Sequence, residues 1–214
     1  AVRAFNPDGR WRTYPGSPWI SQSLLRPQDK LKLFEVHPTD TKVLEKQVAE
    51  LGKGKQIEVL RRNGFEGLKA LLPPPTRRGL VLIDPSYELK TDYAAVIDCL
   101  EDALRRFPTG TYAVWYPVIA RPEAHALPRK LKAVSERAGR GWAQAELNVG
   151  FTPTEGTSAQ IAQGRAHTAM RASGIHVINP PYTLAGLWRE ALPFLTQALR
   201  EPQGAGWTVE AGTA

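Results

Sequence analysis

The order of apolar runs along the chain predicts an α/β fold, an open sheet of short strands with helices on both faces. Three observations predict it. Strand-length apolar runs alternate with segments of helical period, as in βαβ units. The shortest runs, Leu80-Val81-Leu82-Ile83 and His176-Val177-Ile178-Asn179, have β-branched centres and read as strands buried on both faces of a mainly parallel sheet. Proline and glycine clusters separate the runs.

The elements follow in order. Helical spacing is expected at 17–25, 41–51, 65–72, 93–107, 123–138 and Leu184–Leu199, and strands at 31–36, Ile57–Leu60, Leu80–Ile83, 112–116, 143–149 and 175–178. In the fourth helix Ala94, Ile97, Leu100, Ala103 and Leu104 fall on one face. Pro73-Pro74-Pro75 followed by Arg77-Arg78-Gly79 ends a helix before the strand at Leu80, and Pro108-Thr109-Gly110 does the same before Tyr112. The segment 152–172, rich in Gly, Thr, Ser and Gln and carrying Arg165, His167 and Arg171, reads as a long mobile connection. Beyond Glu201 the tail around Trp207 holds one more strand or frays.

Composition bounds the function. The 214 residues are 42% hydrophobic and 23% charged, enough apolar material to exclude global disorder. No run approaches the roughly 20 apolar residues of a membrane span, and the first residues lack a basic-then-apolar signal pattern, so a soluble, cytoplasmic protein is expected. A single cysteine, Cys99, excludes an internal disulfide framework and a multi-cysteine metal site, and reads as a buried helix residue. A net charge of +7 favours a polyanionic partner such as RNA or DNA. Basic residues cluster at Arg61-Arg62, Arg77-Arg78, Arg105-Arg106, Arg129-Lys130-Lys132 and Arg137-Arg140.

The chemistry is expected at Asp84-Pro85-Ser86-Tyr87-Glu88, directly after the strand Leu80–Ile83, because ligands of open α/β sheets bind beyond the carboxyl ends of strands. A carboxylate and the Pro85 carbonyl can accept the two hydrogens of an exocyclic amine while Tyr87 stacks on the base, leaving the nitrogen lone pair to attack. Taken alone, such a turn is more often structural. Trp115 and Tyr116 end the next strand near the same place, with core packing the default for Trp115. Among the histidines, His37 reads as a turn residue, His125 as solvated on a helix, His167 as a residue of the basic loop within reach of RNA phosphate, and His176 as a satisfied sheet residue. Their spacing implies no metal.

Asp84-Pro85-Ser86-Tyr87 resembles the D-P-P-Y motif of amino-group methyltransferases, with Ser86 in place of the second proline. The surrounding text is more specific: Tyr14-Pro15-Gly16-Ser17-Pro18, Glu35-Val36-His37-Pro38, Asn63-Gly64-Phe65, Lys90-Thr91-Asp92-Tyr93, Ala113-Val114-Trp115-Tyr116-Pro117 and Ser173-Gly174-Ile175-His176-Val177-Ile178-Asn179-Pro180-Pro181. In this order, along nearly the whole chain, they resemble the RlmJ family of bacterial 23S ribosomal RNA adenine-N6 methyltransferases. The resemblance implies a Rossmann-like class I methyltransferase sheet and S-adenosylmethionine as cofactor. It implies catalytic roles for Asp84, Pro85 and Tyr87, and cofactor contacts from Ser17, Glu35, Asn63, Gly64 and Asp84, with Asn63 uncharged where the family has Asp. The implied partner is 23S ribosomal RNA before full ribosomal assembly, met by a monomer without metal or membrane.

The family's glycine-rich N-terminal part has no counterpart in this sequence. The expectation is therefore a single methyltransferase domain, 1–214, forming the C-terminal three quarters of a longer protein and lacking the first central strand, between the Glu35 and Asp84 strands. The alternatives are a DNA adenine methyltransferase or a role in using DNA, and a truncated, non-catalytic nucleic-acid-binding relative.

Overall fold

The computed structural model describes residues 2–10, 12–150 and 170–213. Two compact units divide the chain, Ala1–Ala70 and Leu71–Ala214. Arg165 and His167, in the expected basic connection, lie outside the described residues.

The first unit holds α1 (Ser17–Leu24), β1 (Leu31–Phe34), α2 (Pro38–Glu50), β2 (Ile57–Leu60) and most of α3 (Gly64–Leu71). β1 and β2 pair in parallel with Leu31 opposite Ile57 and Phe34 opposite Leu60. The sequence places the start of α2 at residue 41. It begins at Pro38 instead, because proline is preformed for the first helical turn and needs no N–H partner there. Thr41, buried, donates its hydroxyl to the His37 carbonyl at 2.9 Å and the Glu35 carbonyl at 3.3 Å, tying α2 to the end of β1. Phe34 packs under α3, and a Cβ on Gly67 would overlap its ring. The buried amide of Asn6 closes the preceding loop, accepting from the Arg12 and Thr13 N–H groups and donating to the Thr13 carbonyl at 2.7 Å.

The second unit holds β3 (Leu80–Ile83), α4 (Lys90–Arg106), β4 (Thr111–Val118), α5 (Pro122–Arg137), β5 (Trp142–Asn148), β6 (Ala172–Ile178), α6 (Leu184–Leu199) and β7 (Gly206–Gly212). The tail thus carries a strand. The sheet order is β3-β4-β6-β5-β7. The mainly parallel sheet expected from the sequence is corrected: only β3 and β4 run parallel, and β6 is antiparallel to both β4 and β5. An antiparallel strand buried on both faces is as continuously apolar as a parallel one, so strand text alone does not distinguish them. Nor is Leu80–Ile83 buried on both faces. Leu80 and Leu82, alternate residues on one face, are exposed, while Val81 and Ile83 on the other face are turned toward the core; β3 is also an edge strand whose described partner is β4 alone. β1 likewise pairs among the described strands with β2 alone.

One face of this sheet packs on α4 and α5. Tyr112, wholly buried, donates to the Phe107 carbonyl at 2.7 Å, and His176 meets Ser135 of α5 at 3.0 Å. On the other register Ala143, Ala145 and Val177 are buried, and α6 lies against β5 and β7, so helices cover both faces. The buried residues of α4 are Tyr93, Val96, Cys99, Leu100, Ala103 and Leu104. Ala94 is exposed and Ile97 half-exposed, so the buried face is rotated from the expected one, with Tyr93 and Val96 on it in their place.

Candidate active site

The second unit places Asp84 immediately beyond β3. Ile83 pairs with Val114, so the chain leaves the strand with Asp84 level with Trp115 of the parallel neighbour. This is the carboxyl edge, where side chains gather around a ligand. Asp84 is exposed at its tip, yet the surrounding protein removes enough water to push its carboxyl pKa above the ordinary value. Pro85 is half-buried and Ser86 exposed.

Tyr87 turns the chain back toward the core. Its φ of 54° lies in the left-handed region that a bulky side chain seldom adopts. What holds it there is tertiary: the ring is 3% exposed, and its hydroxyl donates to the Trp115 carbonyl of β4 at 2.6 Å. The ring centroids of Tyr93 and Trp115 lie 4.9 and 6.2 Å away. Burial first, and then the Asp84 charge, hold the phenol well above its usual pKa, so it stays a neutral donor. Tyr87 is therefore placed as a buried wedge beneath the turn, with no open ring face in this structure. Tyr116 is wholly buried and donates to Glu146 at 2.9 Å, which makes it a core residue; Trp115 is half-buried.

Arg121 belongs to this site and carries no motif in the sequence. It follows β4, at the N-cap of α5, and its Nη1 donates to the Tyr87 carbonyl at 2.8 Å and the Glu88 carbonyl at 3.3 Å. The available signal was position: an arginine after the carboxyl end of the strand parallel to β3.

The first unit holds Ser17, Glu35, Asn63 and Gly64. Ser17 opens α1 and is exposed. Glu35 follows β1 and Asn63 follows β2, which brings both to the carboxyl edge of that parallel pair. Glu35 accepts from the His37 N–H at 2.8 Å through Oε1, which leaves Oε2 for a hydroxyl donor. Asn63 caps α3, its Oδ1 accepting from the Phe65 N–H at 2.8 Å, so its amide NH2 is the group presented outward. Gly64 lies where a Cβ would come within 3.3 Å of Phe34 Cβ. A diol-accepting carboxylate and a donor for a purine ring nitrogen fit a nucleoside cofactor.

Of the histidines, His125 is exposed on α5, and His37 is an exposed residue at the start of α2 with Nδ1 3.4 Å from Asp40. His176 is the satisfied sheet residue expected, between Ser135 and Gln144. Cys99 is buried in α4. Among the described residues no helix is long and apolar enough to cross a membrane.

Several basic clusters are engaged within the protein. Arg105 and Arg106 pair with Asp102, Arg137 pairs with Glu101 at 2.6 Å, and Lys132 pairs with Glu210. Arg77 and Arg78 precede β3, the end of that strand opposite Asp84.

Comparison with known proteins gives a consistent picture. The family model described as ribosomal RNA large subunit methyltransferase D, RlmJ, matches residues 1–212. The chain is 42% identical over 200 residues to ribosomal RNA large subunit methyltransferase J of Haemophilus influenzae, covering 93% of this chain and 64% of that protein. It is 42% identical over 205 residues to the Escherichia coli protein of the same name, covering 96% of this chain and 66% of that one. The chain thus spans about two thirds of the length of these relatives. A crystal structure of a Legionella pneumophila protein, 33% identical, superposes with a TM-score of 0.81 over 99% of this chain and 71% of that one. With a family match over residues 1–212 and 42% identity to two relatives of that name, the chain belongs to the RlmJ family of ribosomal RNA large subunit methyltransferases.

Proposed function

We propose that this chain transfers a methyl group from S-adenosylmethionine to the N6 amine of an adenine in 23S ribosomal RNA. The observation that carries the reading is Asp84, a partly desolvated carboxylate at the carboxyl edge of β3, on a turn locked to β4 by Tyr87. When bound, the cofactor supplies an electrophilic methyl on a sulfonium. Asp84 and the Pro85 carbonyl accept the two hydrogens of the target amine, which fixes the amine in line and turns its lone pair toward the methyl. The carboxylate raises the amine's nucleophilicity without ionising it beforehand, since an aromatic amine is far too weak an acid for that; once the N–C bond had formed at the expense of the methyl–sulfur bond, the cationic N6 would be a strong acid and Asp84 would take its proton. Tyr87 shapes the base pocket from beneath the turn. Glu35 accepts from the cofactor ribose, Asn63 donates to its adenine, and Ser17 and Gly64 complete the cofactor contacts.

On this reading residues 1–214 work as one methyltransferase domain, monomeric and cytoplasmic, acting on RNA before the ribosome is fully assembled, when a base is free to flip out. The test is titration of the chain with S-adenosylhomocysteine, followed by methyl transfer to a protein-free 23S transcript and to single- and double-stranded DNA. Micromolar cofactor binding, RNA-dependent transfer and loss of transfer in Asp84→Ala are expected. Retention of near-normal transfer by Asp84→Ala, or preferential transfer to DNA, overturns it.

A further inference from the structure

The shape of the Asp84 turn is set by residues that do not touch the amine, and one of them is charged. Tyr87 sits at a φ of 54°, which aims its carbonyl away from the direction an ordinary extended residue would give it. Arg121 Nη1 lies 2.8 Å from that carbonyl and 3.3 Å from the next, that of Glu88. The guanidinium is half-buried and makes no ion pair within 4 Å among the described residues, so its contact here is with backbone oxygen and not with a carboxylate. A second tie, from the Tyr87 hydroxyl to the Trp115 carbonyl, fixes the side chain of the same residue. The turn is therefore gripped by its backbone from the β4–α5 connection and by its side chain from β4 itself. Charge-assisted hydrogen bonds are the stronger kind, and the two N–H groups of Nη1, fixed in the guanidinium plane, reach both successive carbonyls.

We infer that Arg121 is a positioning residue for methyl transfer, holding the Tyr87 and Glu88 carbonyls so that Asp84 and the Pro85 carbonyl meet the target amine at the geometry for attack. The inference rests on the methyl-transfer reading. It assigns Arg121 no contact with substrate. Loss of the grip loosens the turn while leaving the surfaces that bind RNA and cofactor in place. Its signature is a fall in turnover without a matching rise in KM, because misplacing a reacting group by about 1 Å costs roughly a hundredfold in rate.

The experiment compares the full chain with its Arg121→Ala and Arg121→Lys variants by hydrogen exchange and by methyl transfer to a 23S transcript. In Arg121→Ala, exchange at Leu89, whose N–H donates to Asp92 at 3.2 Å and shares a peptide with the Glu88 carbonyl, is expected to rise about tenfold or more while the amides of β4 and β6 keep their protection. In the same variant kcat is expected to fall between about tenfold and a hundredfold with KM changed less than about threefold. Arg121→Lys, which keeps the charge and one donor nitrogen but not the planar guanidinium, is expected to fall between the two. Unchanged exchange at Leu89 overturns the grip, and loosened exchange with normal kcat overturns its role in the reaction. General loss of protection throughout β4 and β6 also overturns it, marking Arg121 as a residue of global stability. Absence of methyl transfer in the unaltered chain is the failure of the functional reading instead, and the exchange measurement still decides whether Arg121 holds the turn.

Discussion

At the scale of single residues, the site trades stability for chemistry. Asp84 has a folded pKa raised by desolvation, so the folded chain holds that proton more tightly than the unfolded one. Its contribution to stability therefore grows as pH falls through the raised value, and at neutral pH the ionised carboxylate is a cost. Asp84→Asn, a neutral group of the same shape, is expected to raise Tm at neutral pH while abolishing methyl transfer. A lowered Tm in thermal melts contradicts the desolvation account. For the active protein the same direction places the acidic limb of the pH–rate profile above that of an ordinary carboxylate. Asn179 is a residue of the opposite kind, entirely structural. Its φ is 51°, and its amide donates to the Pro108 carbonyl at 2.9 Å and the Gly110 carbonyl at 2.7 Å, joining the end of β6 to the start of β4. Asn179→Ala loses both bonds and puts at a left-handed φ a residue that tolerates it less readily than asparagine, a loss of roughly 2–4 kcal/mol. Denaturant melts read this as a lower midpoint at unchanged slope, and a change under about 0.5 kcal/mol refutes the account.

At the scale of elements, His176 couples β6 to α5 and β5. It is fully buried, stacked on Trp142 with centroids 5.5 Å apart, with Nε2 3.0 Å from Ser135 Oγ and Nδ1 3.1 Å from Gln144 Oε1. Burial first, and the nearby Lys132 charge second, push its pKa down to about 3. The folded state therefore requires neutral imidazole while the unfolded state takes up a proton below its ordinary pKa. Stability attributable to His176 is fully present above pH ~6.5 and is lost as pH falls from there toward about 3, at up to about 1.4 kcal/mol per pH unit. Thermal melts between pH 7.5 and 4.5 should show a drop in Tm that is much reduced in His176→Gln. An equal drop in both proteins assigns the acid sensitivity elsewhere. Close packing makes other single positions decisive: a Cβ on Gly174 would overlap the Tyr116 ring across the β4–β6 pair, so glycine in the middle of β6 is a packing requirement.

At the scale of the whole molecule, the net charge of +7 is, on the proposed function, what RNA would meet first. Ion pairs at Asp102, Glu101 and Glu210 occupy part of the basic surface, which leaves a subset of the basic clusters for the proposed phosphate contacts. Affinity for a 23S transcript is expected to fall steeply with salt, with a log–log slope of about −3 or steeper, equivalent to four or more phosphate contacts. A slope shallower than about −1 in binding titrations excludes electrostatic RNA recognition by this chain.

The sequence by itself determined the element order, the α/β class and the place of Asp84, because each depends on local information. Apolar period separates helix from strand, proline and glycine mark the breaks, and the end of Leu80-Val81-Leu82-Ile83 fixes where the next carboxylate falls. Ile57–Leu60, Leu80–Ile83 and Leu184–Leu199 have the bounds the text predicts. The resemblance of the motifs supplied the family and most candidate residues. Only the tertiary structure decided the rest, because it depends on partners far apart in the chain. The direction of β6 is set by its pairing with β4 and β5, and the exposure of Leu80 and Leu82 by which face of β3 the core covers. Tyr87 became a buried wedge through its bond to Trp115, 28 residues away, and Arg121 became part of the site through carbonyls 34 and 33 residues before it. Such contacts leave no period and no spacing in the text, since a hydrogen bond between distant residues constrains two positions and nothing between them.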